Sequence, residues 1–259
     1  KLIVIMANIL ISTIMRDSSY FVPKYYEYIK QLVHTYSEHK FFVSIYENDS
    51  KDNTIPLLKG CNWSFLEDRI AIQSESLKTK KYGSVMDATR VENLGKARMK
   101  SIYVNDKSFL DQSDFVLSLE SDVEYPIDSL GKLLKFGKTN GIKNVDIVSG
   151  MCLKNRKDGT INIRDTWATR LTAQAPPNPT HGLLRGDWKI SSYGKYYSTF
   201  SGFCLYKAEV IRKGASFSGF NERLNTFDCD TAVICEDFHK LGYSDIYIDY
   251  TVRGKHWKR

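Results

Sequence analysis

Phe115–Pro126 reads F-V-L-S-L-E-S-D-V-E-Y-P: a short, mainly apolar run leads straight into Glu120, Ser121 and Asp122, with Glu124 two residues on. A brief apolar run bounded by polar residues is the pattern of a strand buried on both faces. Such a strand does not end on clustered carboxylates without compensating positive charge: a lysine, a helix terminus, or a metal carrying a nucleotide. Ligands of open α/β sheets bind at the carboxyl ends of the strands. The stretch therefore points both to a fold class and to the edge of the sheet where a site belongs.

Upstream, L-I-V-I-M-A-N-I-L-I (Leu2–Ile11) is a second continuous apolar run. Tyr25, Ile29, Leu32, Val33 and Tyr36 then follow near helical spacing, with Pro23 in what would be a first helical turn. F-F-V-S-I-Y (Phe41–Tyr46) is a third apolar run. Strand, helix and strand in this order form a βαβ unit. The pattern continues with a helix over Pro56–Gly60, a strand over Asp68–Ser74 and a helix over Thr89–Val104. That last helix turns Val91, Leu94, Ala97 and Ile102 inward and places Arg90, Lys96, Arg98 and Lys100 elsewhere. After the quoted strand come a helix over Ile127–Thr139 and a strand over Asp146–Cys152. Alternation of this kind predicts an α/β fold with a mostly parallel central sheet flanked by helices.

Past Leu153 the periodicity weakens. A-P-P-N-P-T-H-G (Ala175–Gly182) holds three of the six prolines and reads as an ordered loop or flap. A short strand at Ser201–Tyr206, a helix over Asp230–Leu241 stopped by Gly242, and a last strand over Ile246–Val252 complete the chain. One domain, 1–259, is expected, with a nucleotide-binding half (1–125) and an acceptor-binding half (126–259).

Composition narrows the partners. The 259 residues carry a net charge of +7, spread along the chain rather than gathered into an arm, which suits a small anionic ligand better than nucleic acid. The 16 tyrosines suit sugars and bases at a pocket rim, although core filling explains many of them. Five cysteines without C-x-x-C spacing predict mostly free thiols and no zinc site. No apolar run is long enough to span a bilayer. The chain opens at Lys1 without an initiator Met, as a trimmed segment does, which leaves room for an anchor or signal ahead of it. No G-x-x-x-x-G-K-[ST], G-x-G-x-x-G or G-x-S-x-G occurs, which argues against P-loop, dinucleotide and α/β-hydrolase chemistry.

The predicted carboxyl edge collects five candidates. Glu120 and Asp122 flank one residue in extended geometry, so both point to one side and can share a divalent cation; a solvated acidic turn is the bland alternative. Y-E-N-D-S-K-D-N-T (Tyr46–Thr54) offers Glu47 for a ribose or base, whereas Asp49, Ser50 and Asp52 also suit turns and caps. Asn8 is counted at this edge as well. Arg98, on its helix, can reach a diphosphate or simply be solvated. Glu236 and Asp237 offer a base, a nucleophile or an acceptor-binding carboxylate. In the terminal R-G-K-H-W-K-R, His256 can complete a metal site and Arg253, Lys255 and Lys258 can meet phosphates.

Three segments, F-V-S-I-Y-E-N-D-S-K-D-N-T, R-D-T-W-A-T-R (Arg164–Arg170) and C-E-D-F-H-K-L-G-Y, resemble GT-A glycosyltransferases. More closely they resemble the fungal capsule-associated α-1,3-mannosyltransferase family, glycosyltransferase family 69. The resemblance implies a nucleotide-sugar donor, GDP-mannose favoured and a UDP-sugar the alternative, with Mn2+ or Mg2+ on its diphosphate. It implies hexosyl transfer to a glycan or glycoconjugate acceptor with retention of configuration. By the same resemblance Asp122, Glu120 and His256 are metal ligands. Asn8 and Glu47 lie near the nucleoside, and Arg98 and Lys255 near the phosphates. Asp165, Trp167 and Arg170 shape the sugar pocket, and Glu236 or Asp237 faces the reacting centre. Relatives are anchored in the secretory pathway, as lumenal Golgi domains; without an anchor ahead of residue 1 the chain would be cytoplasmic. The sequon Asn48-Asp-Ser falls inside the expected nucleotide site, which weighs against its use; Asn62-Trp-Ser is the second sequon. Two other readings stand beside this one: a nucleotidyltransferase acting on sugar phosphates, which lacks its Gly-rich loop here, and a non-enzymatic carbohydrate- or nucleic-acid-binding module.

Overall fold

The computed structural model describes residues 6–83, 85, 87–104, 108–155, 161–163, 167–174 and 191–257. The strands are β1 (Asn8–Met15), β2 (Lys40–Asn48), β3 (Ile70–Glu75), β4 (Phe115–Leu119), β5 (Val123–Glu124), β6 (Ile147–Asn155), β7 (Ile161–Ile163), β8 (Tyr193–Lys195), β9 (Phe203–Lys207), β10 (Phe220–Asn221), β11 (Thr226–Phe227) and β12 (Ile246–His256). The helices are α1 (Val22–Thr35), α2 (Thr54–Gly60), α3 (Ala88–Ile102), the single turn α4 (Ser108–Asp111), α5 (Ser129–Asn140), α6 (Ala208–Arg212) and α7 (Asp230–Lys240).

The main sheet runs β3-β2-β1-β4-β9-β6-β12-β5, with β7 beside β6 and β8 beside β12. β3, β2, β1 and β4 are mutually parallel, so their carboxyl ends share one edge. Their side chains are apolar on both faces because helices cover both: Ile9, Leu10, Ile11, Phe41, Val43, Ile45, Val116 and Leu117 are buried. Beyond β4 the sheet is mixed. β9 is antiparallel to both β4 and β6, while β12 is parallel to β6 and antiparallel to β5 and β8. The fold is thus a single α/β domain around a mixed sheet whose continuous parallel portion, β3-β2-β1-β4, comes from the N-terminal half, with a further parallel pair, β6 and β12, beyond it. The antiparallel additions are short strands that periodicity does not resolve.

Two differences from the sequence reading matter for function. The first strand is Asn8–Met15, registered Asn8↔Lys40 through Met15↔Glu47. Asn8 therefore lies at the amino end, roughly 23 Å of strand from the functional edge. There its N–H donates to Asp114 and its side-chain amide to the Gln112 carbonyl, both at 2.8 Å. The expected nucleoside role of Asn8 is corrected on that ground. The last strand, in turn, runs to His256 rather than stopping at Val252. A register shift between Ile248 and Arg253 lets its second half follow β6 and then pair with β5, as Lys255↔Glu124 and His256↔Val123.

α3 is fixed at its start by Asp87, whose carboxylate accepts from the Arg90 N–H at 2.9 Å. Its buried row Val91, Gly95, Arg98, Ile102 follows the 4-3-4 spacing of a helix face. Gly95 is required there, since a Cβ would sit 2.9 Å from the Ser218 Cα. All five cysteines are free thiols, and no described helix is long and apolar enough to cross a membrane.

Candidate active site

Three strand ends meet at the carboxyl edge. Glu120 and Asp122 follow β4, and His256 ends β12 beside β5. One ligand atom from each lies within 4.8 Å of the others. The Glu120 N–H is held by the Gly202 carbonyl at 2.9 Å, and Gly202 has φ of 78°, a conformation natural to glycine. The His256 Nδ1 is 3.2 Å from the Asp122 carboxylate, and its Nε2 is buried with no hydrogen-bond partner among the described residues. A buried ring nitrogen left unpaired costs free energy that a bound cation would recover. Two carboxylates and an imidazole with an orphaned nitrogen form a donor set that fits Mn2+. Trp257 fixes this end of β12: its N–H donates to the Asp122 carbonyl and its indole N–H to Glu124, both at 3.0 Å, while its ring stacks on Phe21.

Next to Glu120 and Asp122 opens a cleft of about 570 Å³, running past the ends of β1 and β2 to α3. It is lined by Arg16, Lys80, Lys81 and Arg90 as well as Asn48 and Asn93. Cations and carboxylates lining one cleft are complementary to a metal-bound diphosphate. The segment Lys78–Lys81 is tied down by Asp49, whose carboxylate accepts from the Lys78 N–H at 2.7 Å and the Thr79 N–H at 2.9 Å. Burial opposes ionisation of Asp49, but the Thr79 hydroxyl and these N–H groups outweigh it and hold its carboxyl far below the usual range. Arg16 reaches across to Thr79, donating to its hydroxyl at 3.0 Å and its carbonyl at 2.7 Å. Asp17, Asp49 and Lys78 all take positive φ, at 48°, 58° and 56°. Such non-glycine residues gather where surrounding contacts over-determine the backbone.

Other expected residues have different jobs. Glu47 stands at the correct edge but is buried, accepting from the Ser50 N–H at 2.7 Å and the Ser74 hydroxyl at 2.6 Å. It builds the turn, and its neighbour Asn48 faces the cleft. Arg98 is not on an open helix face: it is buried between Asp230 (2.8 Å) and Glu120 (3.0 Å), with Phe200 against its guanidinium. Its direct contact with a diphosphate is corrected to a contact with Glu120. Lys255 alternates to the face opposite His256 and pairs with Glu124 at 3.3 Å.

Glu236 and Asp237 are both withdrawn from the cleft. Glu236 accepts from Arg223 (Nη2 2.7 Å, Nε 3.0 Å), from Asn221 at 3.3 Å and from the Tyr197 hydroxyl. Burial alone would raise its pKa, but Arg223, Tyr197 and Asn221 outweigh burial and keep it below the usual carboxylate range. One residue on, about 100° around the helix, Asp237 accepts from the Ser216 N–H at 3.1 Å and meets Lys240 at 3.3 Å. Neither lines the cleft beside Glu120 and Asp122. Arg170 is fully buried against Asp228, and among the described residues its Nε and Nη1 and the buried indole N–H of Trp167 have no partner. Neither residue lines the cleft. Asp165 and the Ala175–Gly182 segment lie outside the described residues.

The sequence matches the family model described as Cryptococcal mannosyltransferase 1 over residues 8–237. The chain belongs to that family. Among solved structures, S. aureus TarS in complex with UDP-GlcNAc is similar at a TM-score of 0.52 and 13% identity, over 97% of this chain and 59% of that one. Pyrobaculum calidifontis PcManGT, with GDP-Man and Mn2+, gives 0.52 and 12% identity over 95% and 58%. GalNAc-T7, with UDP, GalNAc and Mn2+, gives 0.53 and 7% identity over 99% and 45%. At such low identities the structural similarity shows a shared fold, that of GT-A nucleotide-diphospho-sugar transferases, and nothing finer. The chain spans about 60% or less of the length of these solved chains. Compared with curated protein sequences, it gives no significant match.

Proposed function

We propose that this member of the cryptococcal mannosyltransferase family is a metal-dependent glycosyltransferase that moves mannose from a nucleoside-diphosphate donor, GDP-mannose, to a glycan acceptor with retention of configuration. The observation that carries the reading is the Glu120–Asp122–His256 triad, with its orphaned His256 Nε2, at the carboxylate end of a cation-lined cleft. The three side chains would hold the cation. Their mixed oxygen and nitrogen donors favour Mn2+ over Mg2+, which prefers oxygen throughout. When bound, the cation supplies charge neutralisation on the leaving diphosphate.

The chain's own groups do the rest. Arg16, Lys80, Lys81 and Arg90 attract the donor and offset phosphate charge. Asn48 and the left-handed Asp17 and Asp49 turns shape the nucleoside end. Glu236, ionised and saturated with donors, takes no part as a nucleophile in this reading. Residues 126–259 contribute the acceptor side, with Trp167 and Arg170 beneath it. By family likeness, the domain works in the secretory pathway behind an anchor that precedes it.

Hydrolysis of GDP-mannose and a panel of UDP-sugars, with Mn2+ and with chelator, tests the reading. Activity on GDP-mannose that requires Mn2+ and disappears in Asp122→Ala, with folding intact, supports it. Retained activity in Asp122→Ala refutes it.

A further inference from the structure

The triad does not stand alone. Arg98 donates from Nη2 to Glu120 at 3.0 Å and from Nε to Asp230 at 2.8 Å, with Ser118 at 3.4 Å from Nη1. The Arg98 and Asp230 side chains are 8% and 4% exposed, so these contacts are little screened by water. Asp230 is the first residue of α7 and pairs with this guanidinium, which in turn contacts Glu120. Phe200 at 4.6 Å and Phe217 at 5.8 Å close around the same guanidinium.

One cation between two carboxylates divides its attraction between them. Arg98 opposes a metal ion for the electrons of Glu120, and Asp230 dilutes that opposition. We propose that Asp230 and Arg98 are positioning residues that set how tightly the Glu120–Asp122–His256 centre holds its cation, Asp230 strengthening the hold and Arg98 weakening it. The inference rests on the metal reading above. Counting formal charges, Glu120, Asp122, Asp230 and Arg98 together carry −2. Asp230→Asn brings the cluster to −1, and Arg98→Gln to −3. A purely structural role would weaken metal binding in both variants; the electrostatic role moves them in opposite directions. A unit charge several ångströms away through partly buried protein shifts divalent-cation affinity by about tenfold.

The test titrates Mn2+ alone, without nucleotide, against the whole chain and follows free Mn2+ by electron paramagnetic resonance, with thermal melts as a check on folding. Asp230→Asn is expected to bind Mn2+ about tenfold more weakly. Asp230→Glu, which keeps the charge, should stay within about threefold of the unaltered protein, and Arg98→Gln should bind about tenfold more tightly. Should Arg98→Gln not fold, the Asn and Glu pair at Asp230 still separates charge from geometry. Equal weakening in both Asp230 variants, or an Asp230→Asn constant within about twofold of the unaltered protein, overturns the inference. An unaltered protein that takes up no Mn2+ would remove the metal centre itself, a distinct failure.

Discussion

Glu236→Gln decides whether the acidic pair of α7 is chemical or architectural. The substitution keeps the shape of the side chain and removes its charge. In the folded protein that carboxylate receives the two-pronged Arg223 contact, the Tyr197 hydroxyl and the Asn221 amide, and is itself 3% exposed. An amide turns one acceptor into a donor, so at least one of these contacts becomes donor against donor. Losing charge-assisted bonds of about 1.5–3 kcal/mol each, with the third-exposed Arg223 recovering some hydration, gives a loss of about 3 kcal/mol. For a chain of this size that corresponds to a melting point lower by about 6–12 °C. Differential scanning fluorimetry reads the shift, and donor hydrolysis on the folded protein reads the chemistry, which should stay within a few-fold. An unchanged melting point with turnover reduced about a thousandfold would refute the reasoning and return Glu236 to the reacting centre. The same variant carries a pH signature. A carboxylate held below its unfolded value, about 4.3, stabilises above that pH and loses its contribution as the pH falls through the folded value. The melting point of the unaltered protein should therefore drop more steeply in acid than that of Glu236→Gln.

Other outcomes follow from the same contacts. His256→Ala should weaken Mn2+ binding by at least about a hundredfold, since changes to outer partners of metal ligands alone reach that range; calorimetric titration checks it. Trp257→Ala removes the stack on Phe21 and the bond to Glu124, so it should cost about 3 kcal/mol in urea unfolding and loosen metal binding, whereas Trp257→Phe should keep most of the stability. Gly202→Ala forces a side chain into φ of 78° with its Cβ 3.1 Å from Glu120 Oε2, which should cost about 1–2 kcal/mol and lower metal affinity with it. Arg16→Ala should weaken GDP binding, and the salt dependence of binding should become shallower as one cation leaves the cleft.

The parallel half of the sheet was legible because strands buried on both faces must be mainly apolar, as β1, β2 and β4 are apart from small hydroxyl residues such as Ser12, Thr13, Ser44 and Ser118 and the polar strand ends. The convergence of Glu120, Asp122 and His256 was legible because strand ends at one edge converge wherever the chain between them wanders. What escaped was what depends on register and packing. Asn8 sits in an apolar run whose phase does not reveal where pairing begins. Arg98 looks solvent-facing by charge, yet it occupies the Val91–Gly95–Arg98–Ile102 row, and only the space beside Gly95 hinted at its burial. The cleft cations were overlooked although Lys78-Thr79-Lys80-Lys81 stands directly after β3, a local cluster hidden by an even overall distribution. Glu47 and Glu236 looked chemical because they are acidic and well placed; Ser50 shares the Tyr46–Thr54 stretch with Glu47, but their other partners, Ser74, Arg223 and Tyr197, come from segments that no short motif links to them.

The irregularity inside β12 also has an evolutionary reading. Side chains alternate along a strand, so the number of residues between Ile248 and Arg253 determines which of two neighbours faces Asp122. As folded, that neighbour is an imidazole. Inserting a single codon there would move Lys255 into the position of His256 and carry His256 one place further on, putting an ammonium group where the imidazole now faces Asp122. A descendant carrying such an insertion would have a positive charge built in covalently beside Glu120 and Asp122, so the length of a few unremarkable residues decides which side chain completes the site.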